Sequence, residues 1–163
     1  SPWSVLAQGI SLNVNLSIGT ITLFISLVVL IFWLPLKQKP GIGTILNALI
    51  IAMMIDICIK FVPTPENYIS QLILAIVAVF TVGFGGGIYL VANLGAGPRD
   101  GLMVGLQKKT NMPIAAVRAF LEISVVTVGW YLGGTVGLGT LLFAFGIGPA
   151  VALGLFLTEK IFK

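Results

Sequence analysis

Histidine is absent from the chain and cysteine occurs once, as Cys58. The commonest metal ligand and proton shuttle is therefore missing. A lone cysteine closes no intramolecular disulfide and has no partner thiol for a metal site. Charge is scarce too: 9% of the 163 residues are charged, where soluble domains carry about 25%. No basic face interleaved with aromatics is present, which excludes nucleic acid as a partner despite the net charge of +4. Paired carboxylates on one span and a nucleophile–base motif are also missing, so no enzymatic role, metal or cofactor is expected.

What fills the chain is apolar: 58% of the residues are hydrophobic. They gather into runs long enough to cross a bilayer, which takes about 20 residues. Five spans are read at 17–36, 41–62, 70–93, 113–132 and 135–157. The runs are continuous rather than alternating, which favours helices over barrel strands. Proline or charge closes several of them, as at Pro35 with "KQK" and at "PTPEN". Trp33, Trp130 and Tyr131 lie near span ends and read as interfacial anchors.

Basic residues are distributed unevenly. Lys37, Lys39, Arg99, Lys108, Lys109, Lys160 and Lys163 fall on one side of the expected membrane, and Lys60 alone on the other. By the positive-inside rule the richer side, with the C-terminus, faces the cytoplasm. Between spans three and four, "PRDGLMVGLQKK" is too short to cross. It is read either as an amphipathic interfacial helix or as a half-helix dipping into the protein.

The chain also repeats itself. Shifted by 96 positions, Pro2 falls on Pro98, Gly9 on Gly105, Asn15 on Asn111 and Phe24 on Phe120, and "PGIGT" falls on "VGLGT". Thirteen of the 48 positions compared are identical, where this composition gives roughly 4 by chance. Each copy reads as span, short helix, span, G-x-G-T turn, span. Three crossings separate equivalent points, so the second copy is inverted relative to the first. The fold expected is an all-α polytopic membrane protein with an inverted repeat of three spans plus a short helix. Residues 1–69 form the first copy and 70–163 the second, and the first span of copy one is expected to precede Ser1.

"LGAGPRDGL", "PGIGTILNALIIAMMID", "VRAFLEISVVTVGWYLGGTVGLGT" and the opening "SPWSVL" resemble the bacterial YczE/YitT-type integral membrane proteins. The resemblance implies a multi-pass protein of the cytoplasmic (inner) membrane, of a kind often described as a permease. It implies no particular solute.

Several residues invite a functional reading. Arg118 and Glu122 stand one turn apart in span four, about 7 and 13 Å deep from Pro113. Ionised groups at such depth are costly and are the first places to look for a solute or proton path. Their counterparts in copy one, Thr22 and Ser26, are small, polar and uncharged, and are read as part of the same path. Asp56 and Lys60 form a second i,i+4 couple toward the outer end of span two, read as a surface-proximal pair or, through Asp56, as part of the solute or proton path. Asn47 is helix–helix glue or part of the path.

Pro149, with Gly146 and Gly148, is read as a break or hinge in span five. Pro98, Arg99 and Asp100 open the short helix, where Asp100 suits the dipole; a re-entrant helix would make this start an anion site. "GFGGG" at 83–87 reads as close helix packing rather than a phosphate loop. The function expected is a secondary transporter or permease for a small polar solute, with a midplane site between inverted repeats. The alternatives are a small-solute channel and a non-transporting scaffold or regulatory subunit. The expected partners are the lipid bilayer, a small polar solute, and a second copy or a membrane partner.

Overall fold

The computed structural model describes residues 1–63 and 65–162; Thr64 of the "PTPEN" turn, and Lys163 of the basic count, lie outside the described residues. Seven helices follow one another: α1 (Pro2–Asn13), α2 (Ile18–Trp33), α3 (Ile42–Phe61), α4 (Tyr68–Val91), α5 (Pro98–Thr110), α6 (Ile114–Tyr131) and α7 (Leu138–Phe162). Strands are absent among the described residues. The starts of α1, α2 and α3 precede those of α5, α6 and α7 by 96 residues each. The chain is an all-helical, multi-pass membrane protein.

Local chemistry sets most helix ends. Ser17 caps α2 by accepting from the Thr20 nitrogen at 3.1 Å. Asn67 caps α4 in the same way through Ile69. Pro98 opens α5, where its missing N–H costs nothing, and Asn111 closes it in the left-handed region at φ 57°. Four helices, α3, α4, α6 and α7, are long and apolar enough to cross a membrane. The expected first span is shorter than its apolar run. With 16 residues α2 covers about 24 Å, less than the roughly 30 Å hydrocarbon core. Capping at Ser17 and the turn leading to Pro35 cut the helix at both ends. It joins α1 through a bend of 115°, and the two together make a broken span or a re-entrant loop.

Two compact units emerge, each packed around its own contacts. One pairs α4 with α7. Small residues bring these backbones together: a methyl group on Gly83 would stand 2.3 Å from the Ala150 Cβ, and one on Gly87 would stand 2.4 Å from the Gly154 carbonyl carbon. Here α7 runs unbroken through Pro149, so the expected break is not a break. Proline in a helix forgoes its own hydrogen bond to residue i−4, here Phe145, while neighbouring turns keep theirs.

The other unit gathers α1, α2, α3, α5 and α6. Its core holds Trp3, Val29, Trp33 and Leu102. Here α1 packs against α6 and its C-terminal turn, where Asn13 donates to the Leu132 carbonyl at 3.0 Å and Gln8 accepts from the Thr135 nitrogen at 2.9 Å. The short helix α5 packs against the C-terminal end of α2, with Gly101 against the Trp33 ring and Gly105 beside Leu36. Trp33 is therefore no membrane-surface anchor. It is 2% exposed, and its indole N–H donates to the Pro98 carbonyl at 2.9 Å, which satisfies the one polar atom a buried tryptophan carries. Trp130 and Tyr131 are exposed.

Candidate functional site at the start of the short helix

The segment leading into α5 is fixed from two sides. Thr44 of α3 donates its hydroxyl to the Ala96 carbonyl at 2.7 Å and accepts from the Gly41 nitrogen at 3.1 Å. Trp33 of α2 holds the Pro98 carbonyl. Gly97, Pro98, Gly101, Leu102, Met103 and Gly105 are buried, whereas Lys108, Lys109 and Thr110 at the far end are exposed. Within the first turn Arg99 is half-buried and Asp100 exposed, so one face of the helix start is packed against the protein and the far end lies at its surface.

Around that start the sequence-predicted polar residues converge. Asn47 approaches from α3: a methyl group on Gly97 would stand 3.4 Å from the Asn47 Oδ1 and 3.1 Å from the Asp100 Oδ2. From α6 comes Arg118, whose Nε donates to Glu122 Oε1 at 3.0 Å. Arg118 is 33% exposed and Glu122 12%, and theirs is the one ion pair among the described residues. The field of Arg118 reaches Asp100. On the other flank the Arg99 guanidinium lies over the Trp3 ring of α1, 4.9 Å from its centroid. At that range the negative face of the indole attracts the cation.

Burial acts on both charges of the α5 start. It lowers the Arg99 guanidinium to about 10, against the opposing pull of Asp100. Asp100 is an exposed residue, yet the protein around it displaces enough water to raise its carboxyl above the usual carboxylate range. Arg118 and then Arg99 oppose that rise. Five of the expected residues, Asn47, Arg99, Asp100, Arg118 and Glu122, therefore share one neighbourhood. Trp3 is the member that the residue-by-residue reading missed. The 96-residue shift carries its signal, since Trp3 falls on Arg99 in the repeat.

The remaining expectations fall elsewhere. Thr22 and Ser26 are buried on α2 and turned to their own helix, donating to the Ile18 and Thr22 carbonyls at 2.8 and 2.9 Å. The Asp56–Lys60 couple does not form. Asp56 instead accepts from the Ser17 hydroxyl at 2.5 Å and the Gly19 nitrogen at 2.8 Å, while Lys60 is exposed. Unpaired N–H groups at the start of α2 offer a carboxylate fixed partners and a favourable dipole, which a flexible lysine does not match. Gly146, Gly148 and Pro149 belong to the α4–α7 unit. No group of three or more Cys, Asp or Glu stands close enough to hold a metal among the described residues.

Comparison with known proteins agrees with the membrane reading. Residues 1–155 match the model of a family of unknown function, DUF6198. An uncharacterized protein of Haemophilus influenzae is 46% identical over 93% of this chain and 69% of its own length. The uncharacterized membrane protein YczE of Bacillus subtilis is 32% identical over 88% of this chain and 67% of its own. The uncharacterized protein YyaS of the same organism is 26% identical over 87% and 73%. No solved structure matches the chain significantly. The expected resemblance thus holds, and the chain belongs to the DUF6198 family, as a membrane protein of the YczE type.

Proposed function

We propose that the protein is a secondary transporter or permease for a small polar solute, and that the solute passes the polar neighbourhood at the start of α5. The observation that carries this reading is the convergence of Asn47, Arg99, Asp100, Arg118 and Glu122, from three helices, in an otherwise apolar unit. Ionisable groups are costly within a membrane protein's interior and concentrate where solutes or protons move. A purely structural pair would need only Arg118 and Glu122.

The inverted-repeat reading, with copies at 1–69 and 70–163, draws support from the common 96-residue offset of the helix starts. It draws more from packing: α1 lies on α6 and α5 on α2, a swap that the same offset generates. On this reading α5 is re-entrant, and α1 and α5 leave the Trp3–Arg99 contact toward opposite faces. The protein then sits in the cytoplasmic membrane with its C-terminus inside, as the basic loops indicate. A channel is the second reading, favoured by the meeting of two short-helix starts at Trp3 and Arg99.

The test is uptake of radiolabelled solute by proteoliposomes that hold the purified protein, across a panel of small anions, cations and zwitterions. Transport predicts uptake of at least one solute, and its loss in Glu122→Gln. Silence across the panel speaks for a scaffold or regulatory subunit instead.

A further inference from the structure

Two acid–base couples stand near the start of α5, and only one of them is closed. Arg118 and Glu122 hold each other at 3.0 Å. Arg99 and Asp100, adjacent in sequence, enter no ion pair among the described residues. Arg99 is instead held face-on by Trp3. A guanidinium stacked on an indole is fixed in orientation, and its N–H edge stays free to meet a planar anion with two parallel hydrogen bonds.

We infer that Arg99, positioned by Trp3, anchors a small monocarboxylate anion, and that Asp100 takes up one proton as the anion binds. This inference rests on the transport reading above and names its cargo and its coupling group. One guanidinium outside any ion pair matches one negative charge, which favours a monoanion over a dianion. The Asn47 side chain, beside Asp100 at Gly97, supplies a further polar contact. Arg118 is a poor alternative anchor because Glu122 already neutralises it.

The proton follows from electrostatics. The groups acting on or standing beside Asp100 are Arg99 on its own helix, Arg118 on α6, which Glu122 already holds, and the uncharged Asn47 on α3. Burial already favours the neutral carboxyl. An anion arriving at Arg99 cancels part of the positive field that keeps Asp100 ionised, so its proton affinity rises further. One anion and one proton enter from water together, and the Asp100 carboxylate becomes a carboxylic acid. Both leave on release. The bound site keeps the net charge of the empty one, and the coupled movement is electroneutral.

The experiment is equilibrium titration of the purified protein in lipid nanodiscs with sodium lactate and with sodium acetate. The readout is the tryptophan fluorescence of wild type minus that of Trp3→Phe. The expected result is a saturable change carried by Trp3, with sodium chloride at the same concentrations giving none. Half-saturation should rise at least about tenfold in Arg99→Gln, as the loss of a charge-assisted contact implies, and by less in Arg99→Lys. Wild-type affinity should weaken as pH rises, and Asp100→Asn should remove that dependence. The inference is overturned by the absence of any Trp3 signal with both carboxylates, by unchanged binding in Arg99→Gln, or by a pH dependence that survives Asp100→Asn. Uptake of other solutes without carboxylate binding would sink this inference and leave transport standing. Carboxylate binding without uptake into proteoliposomes would sink transport and leave the anion site.

Discussion

Individual charges in this chain are distinguished by their neighbours more than by their depth. Glu122 and Asp100 are both carboxylates near Arg118, yet one is bonded to it at 3.0 Å and the other feels it only at range. Glu122→Gln should cost on the order of 1–3 kcal/mol by leaving the guanidinium without its partner. Thermal unfolding in nanodiscs would measure this, and Arg118→Met with Glu122→Met together should be less destabilising than either alone. Asp100→Asn should act in the opposite direction. A carboxyl raised in the folded state favours folding most at low pH, and that advantage is lost as pH climbs from the ordinary carboxylate range through its raised value. The substituted protein should therefore unfold at a higher temperature than wild type near neutral pH, with the difference closing in acid. Melting curves at several pH values check it.

At the residue scale the sequence was legible in kind but not in pairing. Arg118 and Glu122 were readable as a couple because one helix carries both at a spacing of four. The same spacing misled at Asp56 and Lys60, because nothing local announces that the start of α2 arrives at Asp56. Trp33 misled likewise: its place near a span end suggested the membrane surface, and only the packing of α5 reveals it as core. Contacts between distant segments were the hidden part, and the internal repeat was the one sequence signal that reached them.

Helices in this protein meet where side chains are smallest. A methyl group on Gly101 would stand 2.0 Å from a ring carbon of the buried Trp33, and neither the ring nor its bond to Pro98 has room to yield. Gly101→Ala should therefore loosen α5 from α2 and cost about 1–3 kcal/mol, as overpacking commonly does. Gly148 in α7 offers the contrast, since no atom lies within 4 Å of a methyl placed there. Gly148→Ala should be neutral or stabilising by up to about 1 kcal/mol through helix propensity. Unfolding of the two variants side by side tests whether packing or propensity governs. Element existence and order were readable from apolar runs, whereas lengths were not. An apolar run continues past Trp33 to Leu36 without remaining helical, because Pro35 and the turn to Lys37, at φ 52°, end the helix first.

For the whole molecule, the asymmetry of basic residues makes a prediction about orientation. Fluorescent-protein fusions fold and emit only on the cytoplasmic side, so a C-terminal fusion should be bright and a fusion inserted between α3 and α4 dark. The reverse pattern would turn the molecule over and with it the direction assigned to α5. Within the unit of α1, α2, α3, α5 and α6, the account's central claim is that the polar neighbourhood at the start of α5 is a solute path rather than a sealed structural pair. The most direct measurement places a single cysteine at Asn47 in a cysteine-free background and applies a membrane-impermeant thiol reagent from each side of the membrane. The account predicts that Asn47→Cys reacts, from at least one side, with water-borne reagent, and that a transported solute slows the reaction. A cysteine at this position that stays unreactive from both sides, in protein shown to be folded, would contradict it.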